Sequence, residues 1–385
     1  MTTLLIALIY LCFISLGLPD SLLGSAWPVM QNDIGAPMSF VGVISLSICA
    51  FTVVSSLFSD ALIRKFGAGL LTAVSTVMTA VALFGFSIST NALTLVLWSV
   101  PYGLGAGAID AVLNNYVALH FKAQHMSWLH CFWGVGASIS PYIMSFALVR
   151  LENWSSGYLI VSIIQISISA LIFASIPLWK RNGSKTAEIS PPAMKISDVF
   201  KIKGAVACLL TFFCYCSLEL TTSLWASSYL VETRGVDTNT AAAFASLFYI
   251  GITVGRGING FLAMRFSDTV LIRSGLSVIA VGVALVFIPF SSIFALVGFV
   301  VMGLGCAPIY PCIIHSTPVV FGRDKSQAMI GIQMAFAYIG FCVMPPLFGI
   351  IAEYISTAAL PFFLLMLLVL MTLMHEVMLH KTDKG

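Results

Sequence analysis

Apolar runs of membrane length fill this chain and leave it one class of fold. Hydropathy and turn signals place twelve of them, at 3–28, 38–58, 69–88, 92–117, 127–149, 156–179, 204–230, 240–262, 270–290, 293–318, 327–350 and 357–379. A helix needs about 20 residues to cross the hydrocarbon core, so twelve crossings use roughly 240 residues and leave short loops. Charged residues make up 9% of the chain and hydrophobic ones 59%. Soluble domains carry about 25% charge, so no single soluble core could hide these side chains. No open sheet spans lipid, and barrel strands would read as alternating segments of about ten residues. The expected fold is an all-α membrane protein with twelve transmembrane helices.

The basic residues set the orientation. With the N-terminus in the cytoplasm, Arg64, Lys65, Lys122, Lys180, Arg181, Lys185, Lys195, Lys201, Lys203, Arg265, Arg273, Arg323, Lys325, Lys381 and Lys384 fall on that side. Only Arg150 and Arg234 fall outside, and Arg256 lies within span 8. An even number of spans with both termini cytoplasmic follows. Residues 181–203 carry Asn182-Gly183-Ser184 and Pro191-Pro192 and read as a polar linker between a six-helix half at 1–180 and another at 204–385.

The halves look duplicated. A shift of 200 carries Gly103-Leu104-Gly105 onto Gly303-Leu304-Gly305 and Lys65-Phe66 onto Arg265-Phe266. Near 204 it carries Gly136 and Pro141 onto Gly340 and Pro345. Two pseudo-symmetric six-helix halves with a midplane site match the repeat architecture of secondary transporters.

Three acids, Asp20, Asp110 and Glu219, lie inside apolar spans. Each costs about 2.5–3.5 kcal/mol at the bilayer centre on insertion scales, so the set costs about 8–10 kcal/mol. Such acids face a watery cavity or a partner, where solutes and protons move. Asp20 follows Pro19, which removes a helix hydrogen bond and favours a kink. It reads as a hydroxyl acceptor or proton site. Asp110 and Asn114 are four apart and share a helix face. Desolvation favours the neutral form of a carboxylic acid, so Asp110 reads as the proton-coupling acid. Glu219 occupies nearly the place of Asp20 in the second half, and Trp225 follows it by about two turns.

Span 5 opens with His130 and Trp133, candidate substrate contacts. Gln165 in span 6 and Gln333 in span 11 are further polar candidates. Asp60, Arg64 and Lys65 lie in the loop after span 2 and read as a gating group that pairs across helix ends. Arg256 reads as a gating or structural residue about two turns from the cytoplasmic end, where an arginine can snorkel.

Enzyme chemistry has no footing. There is no Ser-His-Asp set, no His-Glu-x-x-His pair, and no Gly-Lys-Ser phosphate loop, which also argues against an ATP-driven pump. The nine cysteines have no metal-ligand spacing, and no cofactor is expected. Nucleic acid is excluded as a partner, because the basic residues sit in loops between apolar runs. The expected partners are a small-molecule solute, a coupling ion (H+ or Na+) and membrane lipid, with the chain acting as a monomer.

The whole chain resembles the major facilitator superfamily. Within it, Gly103–Pro141 resembles the fucose–proton symporter group, which includes sodium-dependent glucose transporters. That group carries a glycine-rich span 4 with an acid and then an asparagine four residues on, here Asp110 and Asn114. Its span 1 acid matches Asp20. The resemblance implies that these two acids serve sugar binding and proton coupling. There are departures. Gly17 stands where the group has an asparagine, His130 where it has a glutamine, and Trp133 where it has an asparagine. Glu219 is an extra acid, and Ser56 or Ser59 stands where the superfamily's loop signature has glycine.

The expected function is ion-coupled secondary transport of a small polar solute, a sugar first, by alternating access in the inner (plasma) membrane, with the proton as coupling ion. Two alternatives stay open: a proton-coupled exporter of an amphipathic metabolite or drug, and a transporter-like sensor or lipid-handling protein without net transport.

Overall fold

The computed structural model describes residues 2–37, 40–183 and 194–382. Every element in that range is an α-helix, apart from one 3-10 turn at Thr357–Ala359. Span 1 is two helices, α1 (Thr2–Gly17) and α2 (Leu22–Asp33). Spans 2 to 6 are α3 (Phe40–Leu57), α5 (Ala68–Ser87), α6 (Ala92–His120), α7 (Ala123–Arg150) and α8 (Trp154–Gly183), with the short α4 (Ser59–Phe66) after span 2. The second half starts with the single-turn α9 (Ile196–Val199), then α10 (Ala205–Arg234), α11 (Thr238–Leu262) and α12 (Asp268–Phe287). Span 10 divides into α13 (Ser292–Cys306) and α14 (Ile309–Phe321), and α15 (Ser326–Tyr354) and α16 (Leu360–Thr382) complete the order. Among the described residues, eleven segments are long and apolar enough to cross a membrane, and the shorter apolar stretch Leu247–Leu262 lies within α11.

Prolines place the breaks. Pro19 has no N–H, and the chain leaves the helix at 18–21 before Leu22 resumes it by bonding to the Pro19 carbonyl at 3.1 Å. Pro308 sits at the joint of α13 and α14 in the same way. Side-chain caps start three helices of the second half: Asp237, Ser267 and Ser291 accept from backbone N–H groups of Thr240, Val270 and Ile293.

Packing is arranged for lipid. Leu46, Leu93, Leu97, Phe146, Ile163 and Leu171 point outward on the spans. Ser56, Thr72, Thr76, Ser99, Asn114 and Thr222 are buried. Helices meet through small and hydroxyl residues, as expected where lipid gives no hydrophobic drive for association. Ser55 on α3, for example, donates to the Leu104 carbonyl on α6 at 2.5 Å.

The chain forms two compact units. One comprises Met1–Tyr116 and Leu129–Lys195, the other Val117–Trp128 and Ile196–Gly385. One expectation is corrected here. The segment with Asp60, Arg64 and Lys65 is a helix, α4, whose acid lies in the first turn and whose bases lie in the last, as the helix dipole favours. The stretch read as a linker begins helically, since α8 runs to Gly183. Residues 184–193 of it, Ser184 included, lie outside the described residues.

Candidate functional site

In the first unit the break in span 1 presents Asp20. Its carboxylate is exposed although it lies within a membrane-length segment. Two aromatic donors hold it: Trp133 Nε1 at 2.8 Å from Oδ2, and the Tyr102 hydroxyl at 3.1 Å from Oδ1. Ser21, the next residue, donates to the Ala137 carbonyl at 2.5 Å and lies 2.9 Å from the Ser140 hydroxyl. Helices α1 and α7 can meet this closely because glycine sits at both contacts. A Cβ on Gly17 would strike the Trp133 carbonyl oxygen, and a Cβ on Gly136 would strike the Ile14 carbonyl oxygen. The resulting patch brings together a carboxylate acceptor, an indole and a phenol, with the Ser21 and Ser140 hydroxyls joining α7 to the break.

A second group lies deeper. Asp110, Asn114 and His130 are all buried. The Asn114 amide nitrogen donates to Asp110 Oδ1 at 2.7 Å and to the Asp110 carbonyl at 2.9 Å. That orientation turns the amide oxygen to His130 Nε2, at 3.0 Å. The three side chains thus form one line from acid to amide to imidazole, with the Phe13 ring set edge-on to the imidazole at 5.3 Å.

In the second unit Glu219 and Arg256 are buried at 6% and 3% exposure. Glu219 Oε1 lies 3.6 Å from Arg256 Nη2, an ion-pair distance longer than a hydrogen bond. Among the described residues, Glu219 Oε2 has no hydrogen-bond partner. The Arg256 guanidinium also sits 5.9 Å from the centre of the Tyr310 ring. Arg256 does not snorkel: α11 turns it inward, where a buried cation needs a counter-charge, and Glu219 supplies one.

The remaining candidates are engaged within their own units. Gln165 donates to the Ser15 carbonyl at 2.6 Å and accepts from Thr79 at 2.8 Å. Gln333 donates to Cys208 Sγ and Thr317 Oγ1, each at 3.0 Å. Trp225 donates to the Pro345 carbonyl at 3.1 Å and meets Phe348 edge-on. Asp60 pairs with Arg64 at 2.9 Å and accepts from Met194 N at 3.1 Å, and Lys65 lies over the Phe66 ring. Sequence reasoning missed Tyr102 as a partner of Asp20. Its only signal was an aromatic beside Pro101 at the start of the glycine-rich run.

The Major Facilitator Superfamily model matches residues 9–245 and 207–384. The chain is 24% identical to Bypass of stop codon protein 6 of Saccharomyces cerevisiae, over 94% of this chain and 79% of that protein. It is 21% identical to the glucose/mannose transporter GlcP of Bacillus subtilis, over 88% of this chain and 86% of that one. The fold is that of the E. coli fucose:proton symporter FucP, with a TM-score of 0.75 at 16% identity, covering 96% of this chain and 98% of that chain. A family match across both halves and a shared fold over nearly the whole length lead to one conclusion: this chain belongs to the Major Facilitator Superfamily and is a multi-pass secondary transporter of a small solute, not an enzyme.

Proposed function

We propose that the protein is a proton-coupled symporter that imports a sugar by alternating access. The observation that carries this reading is Asp20: an exposed carboxylate inside a membrane-length segment, held by an indole and a phenol. A sugar needs acceptors for its hydroxyls and an aromatic face for its ring, and Asp20 and Trp133 provide both. The names of two relatives, a glucose/mannose transporter and a fucose:proton symporter, support a sugar as solute. Asp110 carries the proton, and Asn114 links it to His130. Glu219 is a further acid of the substrate pathway, countered by Arg256. The protein acts as a monomer in the inner membrane with both termini cytoplasmic.

Counterflow in proteoliposomes tests the reading. Vesicles loaded with unlabelled glucose, mannose or fucose should take up the same labelled sugar transiently, and Asp20→Asn should abolish the overshoot. Absence of counterflow with every sugar, together with uptake of an amphipathic cation, would replace this reading with the exporter.

A further inference from the structure

The first turn of α10 is set up against its own dipole. A helix N-terminus carries partial positive charge and favours an acid or a capping oxygen. Here the first turn holds no acid, Gly204 provides no side-chain cap, and Lys201 and Lys203 immediately precede it. His380 and Lys381 come from the last turn of α16 to the same place. These four basic residues line one cavity of about 520 Å³. Asp198 pairs with Lys201 at 2.7 Å, and neither Lys203 nor Lys381 has an ion-pair partner among the described residues. Gly204, at φ +80°, seats the helix start against α16, where a Cβ would come within 3.0 Å of the Thr382 side chain.

Like charges gathered at the wrong end of a helix are held more favourably with an anion among them. In that first turn the Ala205 and Cys208 N–H groups bond the Ile202 and Gly204 carbonyls at 3.1 and 3.0 Å, which leaves those of Val206 and Ala207, both on the cavity wall, so the cavity offers lysine cations and backbone donors, a combination that suits a phosphate. Its wall is not purely polar. Phe200 and Val206 line it too, and both are more than 40% exposed. The cavity opens where two membrane-length segments, Ala205–Arg234 and Thr357–Thr382, end. A basic pocket between membrane helices with an apolar side matches a phosphate that carries acyl chains.

We propose that this cavity binds the headgroup phosphate of an anionic phospholipid. Lys203, Lys381 and the start of α10 hold the phosphate, and Phe200 and Val206 lie along the lipid's apolar part. The site joins the first and last helices of the second unit, so its occupation clamps them together.

The purified full chain in neutral detergent, titrated with phosphatidylglycerol, provides the test, with melting temperature and native mass spectrometry as readouts. Phosphatidylglycerol should raise the melting temperature and stay bound, while phosphatidylcholine should do neither. Lys203→Gln and Lys381→Gln should each weaken the apparent lipid affinity about fivefold, near the contribution of one basic residue at a charged membrane surface. Lys203→Arg should restore it, which separates lost binding from misfolding, and Lys122→Gln should leave it unchanged. Unaltered lipid affinity in the Lys203→Gln/Lys381→Gln double variant would overturn the proposal. So would inorganic phosphate that reproduces the full stabilisation, since the ligand would then be the free anion.

Discussion

Trp133 of α7 donates its indole N–H to Asp20 at 2.8 Å, across the break that Pro19 opens in the first span. The bond fixes the carboxylate while leaving it exposed. Trp133→Phe keeps an aromatic ring and removes the donor. Melting temperature should stay close to wild type, and sugar affinity should fall about tenfold, the loss expected for one hydrogen bond to a charged group. Equilibrium binding of labelled sugar to both proteins checks this.

The contact of α1 with α7 depends on Gly17. An added methyl would meet the backbone at Trp133 and lie 2.9 Å from the Ala137 nitrogen, and backbone cannot rotate away as a side chain can. Gly17→Ala should destabilise by about 1–3 kcal/mol through overpacking. Gly24→Ala, at a position with nothing within 4 Å, is the control and should not destabilise. Melting curves in one detergent separate them.

Glu219 and Arg256 should behave as a unit. Removing one partner of a buried pair leaves the other uncompensated, at a cost of about 3–5 kcal/mol. Glu219→Gln and Arg256→Gln should each lower the melting temperature sharply, and the double variant should recover part of the loss. A double-mutant cycle on melting temperatures measures this coupling, and strict additivity would show that the charges do not support each other.

Much of the fold was legible because membrane helices write themselves as long apolar runs. Pro19 gave away the break in span 1, and the four-residue spacing of Asp110 and Asn114 put them on one face, where an amide-to-carboxylate bond now joins them. The ion pair was not legible. Glu219 and Arg256 are 37 positions apart on different helices (256 − 219), and no local pattern says which way Arg256 points. Span 10 was read as continuous, yet it divides at Pro308. Asp60–Lys65 was read as a loop because a charged, amphipathic helix of eight residues has too little periodicity to stand out from one.

The uneven distribution of Lys and Arg makes topology testable. Lys201 should lie on the cytoplasmic side. A cysteine there should resist an impermeant maleimide applied to intact cells and react once the membrane is opened. Ready labelling in intact cells would reverse the orientation.

Asp110 is the centre of the account, since coupling to a proton is what would let this chain accumulate its solute. Asp110→Asn fixes the neutral form. Reconstituted in vesicles, this variant should still exchange labelled for unlabelled sugar, because alternating access needs no net proton movement. Under an imposed pH gradient, acid outside, the wild type should concentrate labelled sugar while the variant should only equilibrate it. If Asp110→Asn still concentrates sugar against its gradient, Asp110 does not carry the proton.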